Sequence, residues 1–308
     1  LTDKIQQAKP LSYYRHDFSA MGSPCELQLY AENKDQAQIA FQAVVADIER
    51  LEKRYSRYRP DSFLSEINQA AAGQGLIEVD PETASLLDYA ATCYQESNGL
   101  FDISSGLLRQ AWNFKSPQLP ETDQLQQLLE RIGWQKLQWH SPYLKFPDLG
   151  MELDFGGIVK EYAADRADSL CRVVGISHGA INLGGDIKII GPHPDGKPWL
   201  IGIRHPRQKD GLLSTVLLYR GAMASSGDYE RSFELAGRRY GHILNPKTGW
   251  PVSHLTSVSV IADFCVIAGS ASTIAMLKEH EGPEWLQNLG LEHLWVDMSG
   301  QRGGSLNR

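Results

Sequence analysis

Ala180-Ile-Asn-Leu-Gly-Gly-Asp-Ile-Lys-Ile-Ile190 sets two short apolar runs either side of a Gly-Gly pair. Residues 180–183 and 187–190 read as short strands, and the glycines supply the permissive backbone of a bend between them. Downstream the same extended pattern returns at 199–204, 213–219 and 257–262. Strands therefore dominate the second half of the chain.

Upstream the periodicity differs. Cys25, Leu27, Leu29 and Ala31 alternate with polar residues, the period of a half-buried strand. Asn33 and Asp35 then open a helix whose apolar face is Ile39, Phe41, Val44, Val45, Ile48, Leu51 and Tyr55. A second helix is capped by Asp80, carries Pro81 at its first position and stops at Asn98-Gly99. Further helices are expected over 123–131 and 159–174. Helices grouped early and strands grouped late, without steady βαβ alternation, predict an α+β fold with a mixed or antiparallel sheet. No repeat or low-complexity tract divides the chain, so residues 1–308 are expected to form one two-lobed unit.

Composition narrows the function. Of the 308 residues 42 % are hydrophobic and 22 % charged, as in an ordinary globular protein. A net charge of -7 argues against nucleic acid as a partner. The longest uncharged apolar stretch, 264–277, is well short of the roughly 20 residues of a membrane helix, so no transmembrane segment is expected. The chain opens at Leu1 without a basic and apolar leader, which leaves the compartment open. Cys25, Cys93, Cys171 and Cys265 form no C-x-x-C pair, so they read as buried thiols.

Three segments place glycine beside polar groups: Asp154-Phe-Gly-Gly-Ile-Val-Lys160, Asn182-Leu-Gly-Gly-Asp186 and Ser225-Ser-Gly-Asp-Tyr229. Permissive backbone next to carboxylate, hydroxyl or amine suits close approach to a phosphate or cofactor, although each segment alone is equally well read as turn chemistry. In the first, Gly156 and Gly157 precede a helix whose free amides, with Lys160, can face an anion. None has the spacing of a dinucleotide-binding or P-loop motif. A fourth segment, Tyr240-Gly-His-Ile-Leu-Asn-Pro-Lys-Thr-Gly249, sets His242 beside a turn, as either a structural histidine or a general base near neutral pH.

Read together, these segments resemble the ApbE family of FAD:protein FMN transferases. The landmarks run in the family's order: Met21-Gly-Ser23, Ser56-Arg-Tyr58 with 62–68, Gly99-Leu-Phe-Asp102, the Asp154 segment, 182–186, 225–231, 242–249 and 268–273. The match covers about 19–277. It implies attack by a Ser or Thr hydroxyl of an acceptor flavoprotein subunit or domain on the FMN phosphorus of the substrate FAD, with AMP leaving. In that chemistry His242 is the candidate base, while Lys160 and the amides around Gly156 and Gly157 would hold pyrophosphate. Met21, Tyr58, Phe101 and Asp102 would contact flavin or adenine, and Asp186, Ser225, Ser226 and Asp228 would orient ligand groups. The family resemblance favours the periplasmic face of the cell envelope, with the cytoplasm as the alternative.

One motif departs from the family. An A-D-A-x-A-T run there gives Mg2+ an Asp and, four residues later, a Thr, which a helix places on one face. Here the run is Ala268-Gly-Ser-Ala-Ser-Thr273, so Thr273 is kept while the Asp position is Gly269. The backbone carbonyl of Val159 completes the implied protein set. Ser270, Asp263 and Glu161 are the candidate replacements, and Glu161 itself stands where the family has glycine. Asn245 replaces the family's Asp but keeps its turn-forming chemistry. The alternatives to transfer are FAD binding without catalysis, and an FAD pyrophosphatase that uses water in place of the acceptor. A non-flavin hydrolase built on Ser225 or Ser226 with His242 lacks a nucleophile elbow.

Overall fold

The computed structural model describes residues 9–73, 75–146, 150–208 and 210–307. The chain opens with strands β1 (Ser12–Ala20) and β2 (Ser23–Ala31), then helices α1 (Lys34–Tyr55) and α2 (Phe63–Ala72). Strand β3 (Leu76–Glu78), α3 (Pro81–Glu96), a 3-10 segment (Ile103–Gln110), α4 (Thr122–Leu129), β4 (Gln138–His140) and β5 (Tyr143–Lys145) follow. Next come α5 (Val159–Val173), β6 (His178–Leu183), β7 (Asp186–Gly191), β8 (Trp199–Arg204), β9 (Leu212–Leu218) and β10 (Gly221–Gly227). The chain ends with β11 (Ser232–Leu235), β12 (Arg238–Gly241), β13 (Leu255–Ala262), α6 (Cys265–Lys278), α7 (Gly282–Asn288), β14 (Glu292–Asp297) and β15 (Arg302–Gly303).

The predicted α+β class holds. Eight strands form one sheet in the order β1-β2-β6-β7-β10-β13-β14-β15, and every neighbouring pair is antiparallel. Two of these strands come from the N-terminal end, and three helices, α5 to α7, lie in the second half, so the two halves are more interleaved than the periodicity suggested. Caps were legible: the Asn33 side chain accepts from Gln36 N at 2.9 Å, and Asp80 accepts from Glu82 N and Thr83 N at 3.1 and 3.3 Å. Asn98 and Gly99, both at positive φ, end α3. Among the described residues no helix is long and apolar enough to cross a membrane.

Side chains of a strand alternate between its faces, so register decides what each face carries. Ile181 and Leu183, Ile190, Ala222, and Val258 and Val260 share the large core with α1, α5 and α6. Ala180, Ile189 and Met223 project to the opposite face, where the β8–β9 hairpin covers them with Trp199, Ile201, Ile203, Val216 and Leu218. A third cluster, around Trp112, Leu125, Leu128 and Tyr240, joins α4 and the 3-10 segment to the β11–β12 hairpin.

Two polar residues of β7 point into the helical face. Lys188 is buried; its Nζ lies 3.1 Å from Asp165 Oδ1 of α5 and donates to the Asp263 carbonyl at 2.7 Å. Asp165 also accepts from the Cys265 and Val266 amides at 2.9 and 3.0 Å, so it caps α6 from a distance, at the end where a helix favours negative charge. One ion pair thus fixes where α6 begins relative to α5 and the sheet.

Removing one partner of a buried pair leaves the other charge uncompensated. Asp165→Ala is therefore expected to lower stability by about 3–5 kcal/mol in urea unfolding, and Asp165→Ala with Lys188→Met should recover part of the loss. A single variant as stable as the parent would contradict this role.

Candidate functional site

Two residues from Lys188 on the same face of β7 stands Asp186, also buried. Lys160 Nζ, from the first turn of α5, lies 2.6 Å from Asp186 Oδ2. This is a charge contact without hydrogen-bond alignment, and Oδ2 has no hydrogen-bond donor. Asp186 Oδ1 accepts a long bond from Ser225 N, 3.4 Å. Glu161 follows Lys160, is 8 % exposed, and its Oε2 has no partner. Two carboxylates and one ammonium thus share a buried volume.

The electrostatics follow from that imbalance. Burial disfavours the charge on Lys160, but Asp186 and Glu161 outweigh it, so the ammonium is held charged with a raised pKa. Burial, reinforced by Asp186, pushes the Glu161 carboxyl up to about 8. At neutral pH Glu161 therefore keeps its proton, and Lys160 and Asp186 balance one another beside it.

The glycine pair is divided in its use. Gly156 N donates to Asp154 Oδ1 at 2.9 Å, and Ile158 N and Val159 N donate to the Phe155 carbonyl at 2.9 and 3.0 Å. The Gly157 amide has no acceptor among the described residues, so of the two predicted anion-facing amides it is the one left available. A Cβ on Gly157 would lie 3.3 Å from Phe101 Cζ, which places the Phe101 ring over the α5 entry. The β1–β2 and β6–β7 turns abut one another here: Gly184 N donates to the Pro24 carbonyl at 3.0 Å, and a Cβ on Gly184 would meet Ser23 at 2.7 Å. Met21, at φ 51, sits in the first of these turns and packs against the main core.

Helix α6 closes the other side. Ser226, on the helix-facing side of β10, has its Oγ 2.9 Å from Thr273 Oγ1 and 2.8 Å from Ser272 Oγ. Ser225 alternates to the opposite face and pairs with Ser259 at 2.7 Å, so the structure separates two residues that the sequence had grouped. Ser270 is engaged by Tyr89 Oη at 2.6 Å and by the Val266 carbonyl at 2.8 Å. Asp263 is exposed and precedes α6, more than two turns (~12 Å) before Thr273. Neither therefore stands in for the absent Asp. At Gly269 the neighbour is Glu161: a Cβ there would lie 3.0 Å from its Cδ and 3.1 Å from its Oε1, and closer still to Cγ. Among the described residues no group of three or more His, Cys, Asp or Glu side chains could hold a metal ion.

His242 follows β12 and leads into a turn in which Asn245 Oδ1 accepts from Lys247 N and Thr248 N at 2.9 and 3.3 Å, the role predicted for Asn245. Its Nδ1 is buried and unpartnered. Burial, with the positive charges of Arg231 and Lys160 against the carboxylate of Asp228, lowers its pKa to about 4, so at neutral pH the imidazole is an unprotonated base. Asp228 itself is occupied, receiving a bidentate clamp from Arg207 at 2.6 and 2.7 Å. It braces the chain beside Gly241, where a Cβ would lie 3.0 Å from Asp228 Cβ. Asp102 is likewise committed internally: Oδ1 accepts from Ser104 N at 2.8 Å and Ser104 Oγ at 2.7 Å, and Oδ2 from Trp134 N at 2.9 Å. Tyr58 is 75 % exposed and accepts at Oη from Arg57 Nη2 at 2.8 Å. Arg57 also pairs with Asp154. Arg57, Arg207 and Arg231 were missed as site residues; two of them lie inside motifs already marked, and the third lies in none.

Sheet and helices together define an α+β protein that gathers a charged lysine, carboxyl groups and hydroxyls between β7, β10, α5 and α6, with a neutral histidine near enough to feel the lysine's charge. The chain belongs to the ApbE family, whose model matches residues 21–295. A Chlamydia pneumoniae FAD:protein FMN transferase is 31 % identical, over 77 % of this chain and 76 % of its own length. One from Rhodobacter capsulatus is 28 % identical over 89 % of this chain, which spans about half, 53 %, of that relative. The crystal structure of the ApbE protein from Thermotoga maritima superimposes with a TM-score of 0.88 at 29 % identity, covering 96 % of this chain and 100 % of that one.

A histidine whose pKa is depressed on folding adds stability that is complete above pH 6.5 and is lost as pH falls from 6.5 toward 4. An NMR titration of the ligand-free protein should place the His242 midpoint near 4, and a midpoint at 6.5 would contradict the burial argument.

Proposed function

We propose that this chain is an FAD:protein FMN transferase, moving FMN from FAD to a Ser or Thr hydroxyl of an acceptor protein with release of AMP. Family membership and the names of its relatives support the reaction class. The observation that supports these residues is a neutral His242 whose imidazole feels the charge of the Lys160 ammonium.

In this reading Lys160 and the free Gly157 amide take the pyrophosphate oxygens, where fixed positive charge meets developing negative charge. The exposed Tyr58 supplies flat apolar surface for a flavin or adenine ring, while Phe101, itself buried, backs Gly157 at the α5 entry. The acceptor oxygen bonds to the FMN phosphorus as its proton passes to the His242 imidazole. The bond from that phosphorus to the bridging oxygen breaks, and AMP carries that oxygen away. A magnesium ion, when bound, supplies further charge neutralisation on the phosphates, and Thr273 Oγ1 and the Val159 carbonyl are the oxygens this reading gives it. Asp102, Asp228 and Ser225 act as scaffold, since their polar atoms are engaged within the protein.

Incubation with FAD, Mg2+ and a co-encoded acceptor should yield covalent flavin fluorescence in a denaturing gel and one AMP per flavin attached. His242→Ala should slow transfer about 10²–10⁴-fold while FAD still binds, and Lys160→Met should weaken FAD binding itself. Tight FAD binding without covalent flavin, or free FMN and AMP formed equally well without acceptor, would refute the proposal.

A further inference from the structure

We infer that Glu161 is the anionic ligand of a hard divalent cation in this cleft, a carboxylate supplied from α5 into space that Gly269 leaves open on α6. The inference rests on the metal-assisted transfer reading and names the residue which that reading lacks.

Three observations carry it. Gly269 is one helical turn before Thr273, and residues four apart on a helix stand on one face with Cβ atoms about 5–6 Å apart. The space beside Gly269 is filled by the Glu161 side chain, so a carboxylate group occupies the position that an α6 aspartate would need. No side chain with a Cβ fits at 269 while Glu161 keeps this rotamer. The two departures in sequence are thus one exchange: a carboxylate and a glycine have changed places between facing helices.

The second observation is the unpartnered oxygen. Glu161 Oε2 is buried with no donor, whereas Asp186 Oδ2 is answered by the Lys160 ammonium at 2.6 Å. Buried carboxylate oxygens are ordinarily hydrogen-bonded, paired or bound to metal. Lys160 balances one of the two carboxylates, and Lys188 is already engaged by Asp165. The third is the chemistry of the neighbours: Thr273 Oγ1 keeps acceptor capacity beyond its contact with Ser226, and Val159 begins α5 two residues before Glu161. One carboxylate, one hydroxyl and one carbonyl suit Mg2+ or Mn2+, which take oxygen ligands and retain waters and substrate phosphate for their remaining positions.

Mn2+ titration of the full chain followed by electron paramagnetic resonance, with and without FAD, tests this directly. Glu161→Gln should weaken Mn2+ binding at least tenfold and leave the metal-free melting temperature unchanged or raised, because a buried carboxyl with an oxygen lacking any hydrogen-bond partner is replaced by a neutral amide. Gly269→Asp alone should not strengthen Mn2+ binding, because the new side chain collides with Glu161. Glu161→Gly combined with Gly269→Asp should restore Mn2+ binding to within a few-fold of the parent. Parent-like Mn2+ affinity in Glu161→Gln, or no Mn2+ binding by the parent in either condition, would overturn the inference. Failure of the transfer reading shows separately, as a protein that holds Mn2+ through Glu161 yet attaches no flavin to an acceptor.

Discussion

Two ion pairs between β7 and α5 are the constraint on which the rest of the molecule depends. Lys188 with Asp165 and Lys160 with Asp186 run side by side, two residues apart on the strand and five apart on the helix. The first pair is a closed arrangement, with every charge answered and α6 capped by the same carboxylate. The second is open, with the Glu161 carboxyl beside it and one of that group's oxygens unanswered. Folding energy is secured at one and binding capacity kept at the other. Buried ionic groups contribute little net stability unless fully compensated, so an incomplete group beside a complete one marks where a ligand is expected.

The strand period explains how a single sheet carries both. Asp186 and Lys188 share the helical face of β7, and antiparallel register brings Ser226 of β10 to that face while turning Ser225 to the other. A one-residue slip would exchange them and strand the charges under the β8–β9 hairpin. The apolar neighbours Ile181, Ala222 and Val258 hold the register, since the same slip would withdraw them from the core they share with α1, α5 and α6. Specific chemistry at the cleft is thus inherited from ordinary packing several strands wide.

Much of this was legible in sequence, and what was not has identifiable causes. Helices α1 and α3 announced themselves through Asn33, Asp80, Pro81 and Gly99, because capping and helix termination are local. Strand β1 did not, since its inward positions include His16, a polar residue that stacks on Phe41 at 5.1 Å and so interrupts the apolar alternation. Lys160, His242 and Thr273 are marked in the sequence only by motifs that run in the family's order. The internal commitments of Asp102 and Asp228 were invisible, because their partners Trp134 and Arg207 lie distant in sequence and in no motif. Gly269 read as a loss and Glu161 as one of three candidate replacements; only the facing of α5 and α6 shows that these two positions meet.

In the proposed reaction the open ion pair is a pyrophosphate site facing a neutral base. A crystal structure of the complex with FAD tests that most directly. It should show the pyrophosphate at the first turn of α5, Lys160 Nζ on a phosphate oxygen, and the FMN phosphorus turned toward His242. FAD bound elsewhere, with Lys160 still held by Asp186 alone and His242 remote from either phosphorus, would contradict it.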